Sequence, residues 1–161
     1  MKVEEPGWKP ENGTGLVPGS EVTKDPTAVN TGKNDAWIFL KVQVPVKEII
    51  LVNPETKRKQ SAQEMALFSF EAAKDWELIE KKQKDGFEES IYGYRSVVKP
   101  GERTTPLFEK VVLVNYLEGQ LKASERLTIP IEAMAIQTGI TTPEEGLKRI
   151  YDLYLEQKVE G

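Results

Sequence analysis

The chain contains no histidine and no cysteine. Without an imidazole there is no Ser-His-Asp triad and no H-E-x-x-H zinc site, since both need that ring to carry a proton or hold the metal. Without a thiol there is no cysteine nucleophile, no thiolate-bound zinc or iron–sulfur cluster, and no disulfide. Catalysis is left to carboxylates, lysine, tyrosine, serine and threonine, of which paired carboxylates can still cleave glycosides. Long apolar runs are also missing, so no segment reads as a membrane span. Basic blocks are absent too. Lys plus Arg is 22 against 26 Asp plus Glu, a formal charge of −4 spread along the chain. That balance speaks against a nucleic-acid backbone or an anionic membrane as partner. The opening Met1-Lys2-Val3-Glu4-Glu5-Pro6-Gly7-Trp8 has no apolar core of the kind a secretory leader needs.

What is present is a turn-rich, strand-prone chain of 161 residues. A chain of this length buries roughly 70% of its unfolded surface and needs no covalent staple, which suits one domain over residues 1–161. Residues 1–20 read as an extended leading segment, because Pro6-Gly7, Pro10, Asn12-Gly13 and Pro18-Gly19 come too often for a helix. From Ile38 to Val46 the apolar residues alternate strictly. Ile38, Leu40, Val42, Val44 and Val46 take one face, which predicts one buried and one wet or partly covered side. Pro45 cannot donate to a ladder and predicts a sheet edge or bulge there. Met65 to Phe70 is compatible with strand or with a turn of helix. Residues 75–80 and 90–95 flank Asp85-Gly86 as a hairpin. Lys99-Pro100-Gly101-Glu102 has the residues of a type II turn. Val111 to Val114 and Leu127 to Ile136 supply further strands, with Leu127, Ile129, Ile131, Ala133 and Ala135 sharing a face.

The chain closes with a helix over residues 143–158. Thr142-Pro143-Glu144-Glu145 fits a capping box, and Leu147, Ile150, Tyr151, Tyr154 and Leu155 form its apolar stripe. Many short strands followed by one helix predict a mainly β protein, an antiparallel sandwich with a C-terminal helix.

Four groups of residues are candidates for chemistry or contact. Asn30, Asn34 and Asp35 gather oxygen donors suited to calcium, although Asn/Asp loops also serve turns through their own side chains. Asp75, Glu77 and Glu80 stand near Trp76 like a carboxylate pair beside a sugar-stacking ring. Asp75 and Glu77 are expected on one strand face and Glu80 on the other. Trp8, Trp37, Trp76, Tyr92 and Tyr94 form either an aromatic platform or core packing. Tyr151, Tyr154 and Leu155 serve a partner subunit or dock the helix on its own domain. No cofactor is implied.

The turns then show a likeness. Val17-Pro18-Gly19, Lys24-Asp25-Pro26 and Val29-Asn30-Thr31-Gly32-Lys33-Asn34-Asp35-Ala36 resemble the signature of the TasA/camelysin family. Lys99 to Phe108 is a second match. Ile131 to Gln137, followed by Thr142-Pro143-Glu144-Glu145, is a third, and the order is the family's. The resemblance implies export from a Gram-positive cell behind a dedicated leader, a jelly-roll-like β-sandwich, and for some members biofilm fibres in which an N-terminal strand completes the next subunit's sheet. It also implies a further strand before Val3, whose absence would leave an acceptor groove open. Camelysin's metallo-endopeptidase activity does not carry over by its usual ligands, because no histidine is available.

The functional expectation is therefore a secreted structural protein that associates with itself or with a matrix protein by β-strand addition. The residues expected to take part are Ile38, Leu40 and Val42 on an edge strand, Trp8 in the leading segment, and Tyr151 and Tyr154 on the helix. A monomeric cell-surface binding or adhesion module is the alternative, and a metallo-endopeptidase a more remote one.

Overall fold

The computed structural model describes residues 2–4, 19–49, 63–114, 129–138 and 146–160. Its described part is mainly β, built of antiparallel sheets that pack as a sandwich with one C-terminal helix. The strands in chain order are β1 (Lys2–Glu4), β2 (Glu21–Thr23), β3 (Thr27–Val29), β4 (Ala36–Ile49), β5 (Gln63–Ala66), β6 (Phe68–Ser69), β7 (Trp76–Lys84), β8 (Phe87–Tyr94), β9 (Lys110–Leu113) and β10 (Ile131–Gln137), followed by helix α1 (Leu147–Glu160). Met65 to Phe70, which composition left open, supplies the end of β5 and the whole of β6, with a bend at Leu67 between them and Phe70 just beyond.

The larger sheet runs β10-β4-β8-β7, with β5 also on β4. The alternation over Ile38 to Val46 is realised as β4, and its inner residues Ile38, Leu40, Val42 and Val44 are buried in the main core. That core also takes Leu107, Phe108, Val111 and Leu113 from the second layer. The other face of β4 is covered in its first half. Trp37 and Phe39 join Met134, Ile136, Ile91, Leu147, Ile150 and Tyr151 in a second cluster beneath α1. β10 is likewise two-sided: Met134 and Ile136 are buried under the helix, Ile131 and Ala133 are half-buried towards the main core, and Ala135 is exposed.

Pro45 is not at an edge. β4 is the central strand, flanked by β8 on one side and by β10 and then β5 on the other. Gln43 N–H donates to Pro130 O at 3.0 Å and Leu67 N–H donates to Pro45 O at 2.8 Å. Alternate residues of a strand aim their backbone groups to the same flank, so Pro45's missing N–H falls where β10 hands over to β5. No ladder bond is lost, and a proline sits in a central strand.

The second layer is more continuous than its short strands suggest. β2 pairs with β9, Lys24 N–H donates to Glu109 O, Leu107 N–H to Pro26 O, and Thr104 N–H to Ala28 O. Residues 21–30 and 101–113 therefore run as one antiparallel ribbon. β1 adds to one flank, on β3, and β6 to the other, on β9.

The turns follow their local chemistry. Asp85 and Gly86 have φ of 52° and 81°, two positive angles in a row as a type I′ hairpin turn demands. Gly101 has φ 82°, and Glu102 N–H donates to Lys99 O at 3.0 Å, closing the type II turn.

The helix begins later than the capping box indicates. Gly146 has φ 82°, outside the right-handed helical region, so α1 cannot run through it from residue 143. Gly146 O accepts the first helical bond, from Ile150 N–H at 3.2 Å, which makes Gly146 the N-cap. Thr142 to Glu145 lie outside the described residues.

A helix of 14 residues is marginal alone, and what holds α1 is burial of its apolar side. Gly93 in β8 makes that approach possible. A Cβ on Gly93 would stand 2.9 Å from Phe39 Cε1 and 3.2 Å from Leu147 Cδ1. Gly93→Val is expected to cost about 1–3 kcal/mol through overpacking. Urea unfolding measures the loss, and near-UV dichroism should report the disturbed aromatic packing under α1.

Candidate functional site

Two features stand out from the frame: the β1 flank of the second layer, and a cleft on its opposite flank. β1 is held by three antiparallel pairs, Lys2 with Val29, Val3 with Ala28 and Glu4 with Thr27. Side chains add to this. Thr27 Oγ1 donates to Glu4 O at 3.2 Å, Arg103 Nη1 bridges Glu4 Oε2 at 2.9 Å, and Val3 packs against the main core. The Arg103–Glu4 pair is exposed on the arginine side, so it fixes register more than it adds stability.

The cleft encloses about 860 Å³ between residues 69–75 and 105–112, with Glu21 of β2 at its border. It opens where a ladder fails. β6 pairs with β9 through Phe68–Leu113 and Ser69–Val112, and the two chains next bond at Ala73 N–H to Leu107 O, 2.8 Å. Between these points, Phe70 to Ala72 make no backbone bond to Phe108 to Val111 among the described residues. Val114 N–H donates to Leu67 O, on the β6 flank, whereas Leu113 and Glu109 bond towards β2. Alternation therefore aims the N–H and C=O of Lys110 into the gap. Phe70 stacks on Phe108 with centroids 4.3 Å apart. Four carboxylates, Glu21, Glu71, Asp75 and Glu109, line the cleft with one lysine, Lys110. Lys110 Nζ is paired with Glu21 Oε1 at 3.0 Å, and Asp75 Oδ2 accepts from Thr105 Oγ1 at 3.1 Å.

The residues singled out from sequence fall as follows. Ile38, Leu40 and Val42 are fully buried in the central strand, so they are core and offer no edge to a partner. The alternating pattern is the same for a central strand as for an edge strand, and only the neighbours decide. Tyr151 is buried with its ring 5.5 Å from Phe39, which docks α1 on its own sheet. Leu155 is exposed. Tyr154 lies in α1, but its side chain is outside the described residues, as is Trp8 altogether.

Asn30 is buried and its amide is committed to the loop. Its Oδ1 accepts from Gly32 N–H at 2.9 Å, and its Nδ2 donates to Asn34 O and Val98 O, both at 2.9 Å. It is the internal brace of the turn. Asn34 and Asp35 are exposed beside it, and among the described residues no three acidic side chains gather as a metal cage.

The carboxylates near Trp76 do not form a facing pair. Asp75 belongs to the cleft, while Glu77 bridges Arg95 at 3.5 Å. A bulge between Leu78 and Glu80 shifts the register, so Glu80 pairs with Ile91 and Glu77 with Gly93. Ile91 and Gly93 share the helix side of the sheet, so Glu77 and Glu80 do too, against the expectation from strict alternation. The bulge and the run Glu80-Lys81-Lys82-Gln83-Lys84 blunt β7, which ends the larger sheet.

The aromatics do not make a shared platform among the described residues. Trp37 is buried under α1, and its indole N–H has no hydrogen-bond partner among the described residues. Trp76 is buried in the main core, where its Nε1 donates to Thr105 O at 3.2 Å and its ring lies 4.9 Å from Tyr94. Tyr92 is half-buried, and burial pushes its hydroxyl above the usual tyrosine range. Lys81 partly opposes that rise, and Glu88 reinforces it.

Sequence reasoning missed the cleft. Its members lie at Glu21 and in two further stretches, residues 69–75 and 105–112, that share no motif, and of them only Asp75 is a site candidate from sequence.

Comparison with protein-family models, with curated proteins and with solved structures found no match for this chain.

Proposed function

We propose that the protein is an exported, non-enzymatic structural subunit that associates with itself or with a matrix protein by β-strand addition. The observation that carries this reading is β1. A three-residue strand from the chain's start fills the flank of β3 in fixed register, using backbone pairing, the Thr27 and Arg103 contacts to Glu4, and Val3 against the core. A pairing this short gives register without much strength, so the slot suits exchange between an intramolecular and an intermolecular strand. The TasA/camelysin-like turns around Asn30 and Pro100 are the supporting sequence argument. They bring the expectation of secretion and of a matrix setting.

Light scattering and electron microscopy on the chain and on Glu4→Pro test this. Ala28 directs its backbone groups to Thr104, so it is Thr27 and Val29 that bond to β1. Proline at Glu4, opposite Thr27, removes a ladder N–H and opposes strand pairing. Concentration-dependent oligomers or filaments in the parent, lost in Glu4→Pro, are the expected result. A parent that stays monomeric over a wide range of concentration and pH, or a variant that assembles equally well, would overturn strand addition through β1.

A monomeric binding module is the second reading, and the cleft between β6 and β9 is the observation that favours it.

A further inference from the structure

The interrupted ladder between β6 and β9 creates a vacancy of a definite shape. On the β9 side the backbone N–H and C=O of Lys110 point into the gap, and on the other side Phe70 to Ala72 carry no ladder bonds to β9 among the described residues. Backbone groups left unpaired beside an apolar floor are what an added strand satisfies. The stacked Phe70 and Phe108, with Val112, supply that floor.

The charge around the gap selects the occupant. Of the four carboxylates, Glu21 is neutralised by Lys110 and Asp75 is engaged by Thr105. Glu71 and Glu109 stand exposed on the two walls with no ion pair among the described residues. A strand entering between them has side chains alternating towards the floor and towards the rim, and cationic side chains at the rim meet both carboxylates.

We propose that this cleft is a docking groove for an extended peptide segment bearing lysine or arginine at alternate positions, bound by backbone pairing to the Lys110 edge and by ion pairs to Glu71 and Glu109. The groove lies across the second layer from β1, so the proposal goes beyond strand addition through β1 and does not depend on it.

The probe is a blocked hexapeptide of alternating lysine and threonine, titrated into the monomeric protein and followed by amide chemical shifts. Two control peptides accompany it. One replaces lysine by glutamate, and one keeps lysine but is N-methylated at alternate peptide bonds. Saturable shifts centred on Phe70 to Ala72 and Lys110 are expected with the first peptide alone. The double variant Glu71→Gln, Glu109→Gln changes only exposed side chains, and it should weaken binding about tenfold, as two partly screened ion pairs imply. Shifts elsewhere on the surface, equal binding of the glutamate or the N-methylated peptide, an undiminished affinity in the double variant, or no binding of any peptide at millimolar concentration would each overturn the proposal. Because the titration is read on monomer, a failure of self-assembly leaves its outcome intact.

Discussion

Phe39→Ala should lower the stability of the protein by about 3–5 kcal/mol, the range for truncating a large buried aromatic. Phe39 is fully buried, on the face of β4 opposite the main core. It touches α1 through the Tyr151 ring at 5.5 Å, and it lies across from Gly93, whose missing side chain leaves room for it. Few other side chains can refill that space, because β4 and β8 are held by ladder bonds on each side. Small domains have only about 5–15 kcal/mol in total, so the loss is a large fraction of what holds the fold. Urea denaturation gives the magnitude. Proteolysis from the C-terminal end gives the location, since α1 relies on this cluster and should open first. Phe39→Leu keeps most of the volume and should cost less than about 1.5 kcal/mol. If alanine and leucine behave alike, the helix does not depend on this packing.

Asn30→Ala is the second large expected effect, about 2–4 kcal/mol, by a different physical route. Its side chain makes three hydrogen bonds in a buried setting, to Gly32 N–H, Asn34 O and Val98 O. Each such bond contributes roughly 1 kcal/mol, and a buried group left without its partner costs more. The link to Val98 matters most. Val98 pairs with Ala36 at the start of β4, with Val98 N–H donating to Ala36 O at 2.9 Å and Ala36 N–H returning to Val98 O at 3.0 Å. Asn30 therefore ties the loop to the point where β4 begins. Asn30→Asp separates this role from the calcium reading. A carboxylate cannot donate to two carbonyls, so if Asn30 braces the turn the aspartate variant loses stability much as alanine does. If the loop is instead a calcium site, Asp should strengthen it, and calcium should raise the melting temperature of the aspartate variant above that of the parent. Thermal unfolding with and without calcium, on all three proteins, separates the two.

Much of this protein is legible in its sequence, because the deciding forces are local there. Two positive φ angles suit Asp85-Gly86, and a type II turn asks for Pro100-Gly101, so both turns appear where the residues stand. The period of two across Ile38 to Val46 forces a strand with a buried side. The absence of histidine and cysteine rules out whole classes of site whatever the fold. Mainly antiparallel β structure ending in one helix follows from these signals alone.

Tertiary structure decided the rest, and the reason in each case is a partner distant in the chain. Whether β4 is an edge or a centre depends on β8, β10 and β5, and the alternation of Ile38, Leu40 and Val42 is indifferent to that choice. Pro45 is tolerated because of where two other strands meet. The bulge at Leu78 to Glu80 moves one carboxylate to the opposite face, an effect of register that no count along β7 reveals. Gly146 starts α1 by its own φ, a position that the helix-start signals in the sequence of Thr142 to Glu145 do not mark. The cleft exists only because two chains distant in sequence pair at Ser69–Val112, separate, and meet again at Ala73–Leu107. Composition and periodicity specify which residues prefer to be buried or extended. Which backbone edges are left unpaired is settled only when all the strands have found their neighbours.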